Sequence, residues 1–130
     1  MEKDFFEWAK VKTDVQQRDE PFFYERELWW CSLGTNVGNE TNGKNDLYER
    51  PVLIVKKFNK TQLWAVPLTT RRAGKKSNRY YVETNSTGRT AHIVLSQLRT
   101  VSSKRLTRKM GTMGDEEFRQ VVERVKQLFP

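Results

Sequence analysis

With 130 residues, the chain can bury one hydrophobic core and is too short for two. A hydrophobic share of 36% and an aromatic share of 12% exclude a disordered chain, and no apolar run reaches the roughly 20 residues of a membrane-spanning helix. The net charge of +8 is segregated: residues 1–49 sum to −5, residues 50–114 to +14 with Glu83 as their one carboxylate, and residues 115–130 to −1. A central block this basic attracts a polyanion, which points to nucleic acid.

In chain order, residues 2–19 read as a helix, with Phe5, Trp8, Val11 and Val15 at three- and four-residue steps, and Pro21 forces an exit. The start, MEKDFFEWAK, is charged and lacks the apolar core of a signal peptide, so the expected address is the cytoplasm. Leu28–Leu33 reads as a strand, followed by a polar, glycine-rich loop over 34–49. Pro51–Phe58 carries the apolar run Val52-Leu53-Ile54-Val55 of a strand buried on both faces. Strands are expected at Gln62–Leu68, Arg79–Glu83, Ala91–Leu95, Leu98–Val101 and Lys109–Met113. The last element is a helix with an apolar stripe of Phe118, Val121, Val122, Val125, Leu128 and Phe129, and with Asp115 placed to cap it. Short strands closed by a helix predict a mainly β domain, a small curled sheet or barrel rather than βαβ units.

Several motifs carry no chemistry. Gly38 to Lys44 has the spacing of a phosphate-binding loop, but Asn45 replaces the required Ser/Thr and no helix follows before Pro51. His92 and Cys31 are the only His/Cys residues, so neither a zinc cluster nor an internal disulfide is available, and no metal or cofactor is expected. Cys31 reads as an inert core residue. His92, within an apolar strand, reads as a hydrogen-bonded structural histidine, with a single-histidine general base as the alternative. The remaining chemistry uses Arg, Thr, Ser and backbone around basic charge. Such groups suit RNA, whose 2′-hydroxyl supplies the nucleophile that DNA lacks.

Five segments in order carry a family resemblance. Leu28 to Gly34 with Gly38-Asn39-Glu40, Arg50-Pro51-Val52-Leu53-Ile54-Val55, Pro67-Leu68-Thr69-Thr70, Val94-Leu95-Ser96-Gln97-Leu98-Arg99-Thr100 and Lys104-Arg105-Leu106 resemble the successive motifs of MazF/PemK toxins. The resemblance implies an SH3-like barrel over 27–130 preceded by a helical extension over 1–26. It also implies a homodimer, an antitoxin partner, and cleavage of single-stranded RNA to 2′,3′-cyclic phosphate and 5′-hydroxyl ends without metal. The family's functional Arg falls on Arg50 and its Thr on Thr69, with Thr70 adjacent; Glu40 is the candidate proton acceptor. Lys44, Thr70, Arg71, Arg72, Lys75, Lys76, Gln97 and Arg99 are the candidate RNA contacts. Taken singly, Arg50 is also explained by pairing with Glu49, and Thr69 by strand propensity. The rival functions are a gyrase poison of the CcdB type and a non-catalytic RNA-binding barrel. The acids of residues 2–19 either restrain access to the basic face or belong to a packing element.

Overall fold

The computed structural model describes residues 21–33, 49–70 and 80–130. Among the described residues, seven strands, β1 (Glu27–Ser32), β2 (Glu49–Lys57), β3 (Gln62–Thr69), β4 (Tyr81–Thr84), β5 (Ala91–Val94), β6 (Arg99–Ser102) and β7 (Leu106–Thr112), precede one helix, α1 (Asp115–Lys126). Short 3-10 turns at Leu95–Gln97 and Ser103–Arg105 flank β6. The helix expected over 2–19 lies outside the described residues.

The strands are antiparallel, in the order β4-β5-β3-β2-β1-β7, with β6 also on β3. One edge of β3 is shared: Gln62–Ala65 pair with β6, and Leu68 and Thr69 pair with β5. The changeover passes Pro67, which has no N–H to donate there. Among the described residues β4 and β7 end the pairing path, so the sheet is open and the expected barrel closure is not present. Bulges bend it instead: the register slips at Val55 of β2 and twice between β1 and β7.

Alternation along the central strands builds two cores. Val52 and Ile54 join Phe23, Trp29, Cys31, Leu63 and Ala65 on one face. Leu53 joins Leu28, Val66, Leu68, Ile93 and Met113 on the other, against Val121 and Val125 of α1. The continuous apolar run of β2 is thus explained by burial on both faces. Each buried valine of α1 contributes about 1.5–3 kcal/mol of apolar burial. Phe118 and Leu128 pack at the margin of that core, and Phe129 is exposed.

Asp115 does not cap α1. Gly114 takes the N-cap position with extended backbone and no side-chain hydrogen bond, and Asp115 is the first helical residue. There it favours the positive end of the helix dipole and receives Arg119 Nη2 at 3.1 Å. Upstream, Met113 N–H donates to Arg26 O at 2.8 Å, fixing the entry to the helix against the start of β1. Arg26 holds φ at 78°, the left-handed region, and its Nε donates to Met113 O at 3.1 Å.

Candidate functional site

A cleft of about 470 Å³ opens at the end of the sheet where β2 begins and β3 stops. Trp30, Pro51, Leu68, Ala91 and Met110 give it an apolar wall. Glu49, Arg50, Thr69, Thr70, Thr87 and Arg89 supply its polar groups. Because the lining takes consecutive residues from both strands, groups from both faces of the sheet border the opening.

Strand register sets the arrangement of the polar groups. Cys31 is opposite Arg50 across β1 and β2, and Val52 is opposite Pro67 across β2 and β3. Continuing that register by two residues brings Arg50 opposite Thr69, while Thr70 falls on the other parity. Thr69 in turn is opposite His92, and His92 is opposite Glu83. Directly opposed residues project to the same face. Arg50, Thr69, His92 and Glu83 therefore form one polar row across four strands.

His92 is not the satisfied core histidine expected from its apolar neighbours. Its Nδ1 is buried with no hydrogen-bond partner, and its Nε2 lies 3.9 Å from Glu83 Oε1, beyond hydrogen-bond reach.

The surrounding groups are held by side-chain contacts. Arg108 lies over the Trp30 ring at 4.9 Å from its centroid and approaches the buried Glu49 carboxylate at 3.7 Å. The β4–β5 turn, which carries Thr87 and Arg89 to the cleft, is fastened to α1 by Glu117. This carboxylate accepts hydrogen bonds from Thr84 Oγ1 at 2.7 Å and Ser86 Oγ at 2.6 Å. Gly88 completes the turn at φ 95°, a conformation that favours glycine.

Opposite Arg50 on β1, burial pushes the Cys31 thiol up to about 12, against the opposing influence of the Arg105 and Arg99 charges. Burial likewise lowers the pKa of Arg105, whose Nη1 donates to Ser32 O at 3.3 Å. Arg105 was not singled out as a site residue from sequence, although it stands in one of the family-like motifs.

Of the sequence candidates, Arg50, Thr69 and Thr70 come together at the cleft. Gln97, in a 3-10 turn, and Arg99, opposite Ala65 on β6, are not part of its lining. Glu40, Lys44, Arg71, Arg72, Lys75 and Lys76 lie outside the described residues. Arg108, Thr87 and Arg89 were missed as site features, because only the folded sheet and its β4–β5 turn bring them beside Arg50 and Thr69; His92 and Glu83 do not line the cleft. Among the described residues no group of three His, Cys, Asp or Glu side chains is placed to hold a metal ion. Nor is any helix there long and apolar enough to cross a membrane.

The family model described as "PemK-like, MazF-like toxin of type II toxin-antitoxin system" matches residues 24–129. The chain belongs to this family. Solved structures share the toxin's fold at low sequence identity. MazF (Form-I) from Deinococcus radiodurans aligns with a TM-score of 0.61 at 16% identity, over 85% of this chain and 97% of its own. Mycobacterium tuberculosis toxin MazF-mt6 aligns with a TM-score of 0.59 at 16% identity, over 80% and 96%. An endoribonuclease in complex with its cognate antitoxin from a mycobacterial species gives 0.60 at 16% identity, over 84% and 98%. No curated protein matches the toxin by sequence.

Proposed function

We propose that the toxin is an endoribonuclease that cuts single-stranded RNA at this end of the sheet. The reading rests above all on Arg50 and Thr69, two residues far apart in sequence that border one cleft in a chain of this family. The +14 charge of residues 50–114 supports a polyanionic substrate. The likeness to a mycobacterial endoribonuclease supports the activity.

In the proposed reaction the RNA 2′-hydroxyl attacks the adjacent phosphorus, and the 5′-oxygen leaves, giving a 2′,3′-cyclic phosphate and a 5′-hydroxyl. Arg50 neutralises the phosphorane through paired N–H donors and assists the leaving oxygen. Thr69 donates its hydroxyl to a non-bridging oxygen. An arginine guanidinium does not readily give up its proton, so neither residue takes the proton of the 2′-hydroxyl. Gln97 and Arg99, with Lys44, Thr70, Arg71, Arg72, Lys75 and Lys76, are assigned to the RNA path beyond the scissile bond. The chemistry requires no metal or cofactor.

An acidic, partly disordered antitoxin segment is the proposed protein partner, suited to the basic block and supported by the antitoxin complex of the mycobacterial relative. A homodimer in the cytoplasm, with residues 1–26 as an extension of the toxin domain, completes the reading. Deletion of residues 1–20 raises cleavage if their acids restrain access; unchanged or lost cleavage assigns them to packing.

Incubating the purified toxin with a long RNA in EDTA and mapping the ends tests the activity. Discrete cuts with cyclic-phosphate ends support it. Binding without cleavage assigns an RNA-binding module, and gyrase inhibition without cleavage assigns a topoisomerase poison.

A further inference from the structure

One wall of the cleft sets an acid beside an aromatic ring. Across β1 and β2, Trp30 is opposite Pro51 and Ser32 is opposite Glu49, so Trp30 and Glu49 are diagonal neighbours on one face. Such neighbours are roughly 7–8 Å apart, within reach of long side chains. Arg108 of β7, directly opposite Trp30, ties the two together. Its guanidinium lies over the indole, and its Nη2 is 3.7 Å from Glu49 Oε2. Both Trp30 and Glu49 line the cleft, beside the apolar Pro51, Leu68, Ala91 and Met110.

Among the described residues of that lining, Glu49 is the only carboxylate. A carboxylate repels the phosphates of RNA, so in a cleft that takes RNA its use is at the edge of a base. The Glu49 side chain is 4% exposed and that of Arg108 is 63% exposed. Water therefore screens the ion pair, which is a weak reason for burying the acid. A carboxylate only accepts hydrogen bonds, at about four lone-pair positions, and can take donors from a ligand as well as from the protein. Of the four RNA bases, guanine alone presents two adjacent N–H donors, N1–H and the 2-amino group, on its Watson–Crick edge. Adenine and cytosine each set one amino donor beside a ring-nitrogen acceptor, and uracil sets its one N–H between two carbonyls. Those acceptors are repelled by a carboxylate.

We propose that the cleft is a guanine subsite, in which the base stacks on Trp30 and pairs its Watson–Crick edge with the Glu49 carboxylate. The proposal rests on the ribonuclease reading above and deepens it, making guanine a fixed base beside the cut. An unpaired strand offers both the face and the edge of its bases to such a wall. A pocket that hydrogen-bonds one edge discriminates steeply, because a wrong base leaves its polar groups unmatched.

The test maps the cuts made by the full chain in a long RNA in EDTA. A short single-stranded substrate is then made with guanosine or with inosine, which lacks only the 2-amino group. Guanine is expected at one fixed position flanking the cuts. Inosine there should lower kcat/KM by roughly 10–100-fold, the worth of one hydrogen bond to a charged group. In Glu49→Gln the guanosine-to-inosine ratio should collapse toward one, since the amide sets a donor against one of the two N–H groups. Trp30→Leu should weaken both substrates alike. Anisotropy with the same oligonucleotides, blocked by a 2′-deoxy sugar at the cut, reads the ratio as affinity and so tests the subsite apart from the chemistry. Cuts without a fixed guanine, equal use of guanosine and inosine by wild type, or the full ratio kept by a folded Glu49→Gln protein each overturn the proposal. Absence of cleavage by the wild-type chain instead overturns the ribonuclease reading, and the affinity ratio then decides the subsite by itself.

Discussion

The Arg108 guanidinium lies 4.9 Å from the centroid of the Trp30 ring, which forms part of the apolar wall of the cleft. A cation over an aromatic face holds the ring in one orientation and leaves the rest of its surface to bound groups. Under the proposed ribonuclease reading, the Trp30–Arg108 pair is the platform on which a nucleobase stacks. Trp30→Leu should weaken single-stranded RNA binding by roughly tenfold, within the 1–3 kcal/mol of a base–aromatic stack, and should change the bound cleavage rate much less. Fluorescence anisotropy with a labelled oligonucleotide measures the first effect and single-turnover kinetics the second.

The β4–β5 turn depends on one carboxylate of the helix. Without Glu117, the buried Thr84 hydroxyl loses its 2.7 Å acceptor and Ser86 loses its own. Glu117→Ala should cost about 1–3 kcal/mol in urea unfolding. It should also raise KM for RNA more than it lowers kcat, because the turn carries Arg89 and Thr87 to the cleft.

Glu27 makes the toxin sensitive to acid. Burial raises its pKa, but hydrogen bonds from Trp29 Nε1 at 2.9 Å, Tyr24 N at 2.9 Å and Lys109 Nζ at 3.1 Å outweigh that, and the net shift is downward. A depressed carboxylate contributes its stability above its unfolded value, here 4.5, and loses it as pH falls through the lower folded value. Glu27→Gln should cost about 1.5–3 kcal/mol at neutral pH, and its deficit relative to wild type should shrink below that range. Thermal melts from neutral pH into acid measure the difference.

Cys31 should be inert in the native protein. It is fully buried, and burial pushes its thiol up to about 12, so almost no thiolate forms at pH 8. Iodoacetamide should label it only after unfolding in guanidinium, as read by mass spectrometry.

Local patterns were legible in the sequence, and cross-strand relationships were not. The apolar run at Val52–Val55 and the stripe through Val121 and Val125 report burial through residues close in the chain, so β2 and α1 could be read directly. Strand β7 begins at Leu106 rather than Lys109, because its polar residues Thr107 and Arg108 are held by pairing with β1 and not by their own burial. Asp115 has the chemistry of a cap, yet the backbone turns into the helix one residue earlier, at Gly114. His92 looked structural because its neighbours are apolar. Its unpaired Nδ1 and its place opposite Thr69 exist only once β3 and β5 pair. Arg50 and Thr69 were candidates through their motifs alone, and the register supplies a physical reason to prefer Thr69 to Thr70 beside Arg50.

The most direct measurement of the central claim is single-turnover RNA cleavage in EDTA by Arg50→Ala and Arg50→Lys beside wild type, with RNA affinity and thermal melts measured on the same proteins. Both variants should remain folded and bind RNA within about tenfold of wild type, while losing cleavage by at least about 10²-fold. The lysine variant should fail too, since its ammonium lacks the paired donors of the guanidinium. Full cleavage by a folded Arg50→Ala protein would contradict the account.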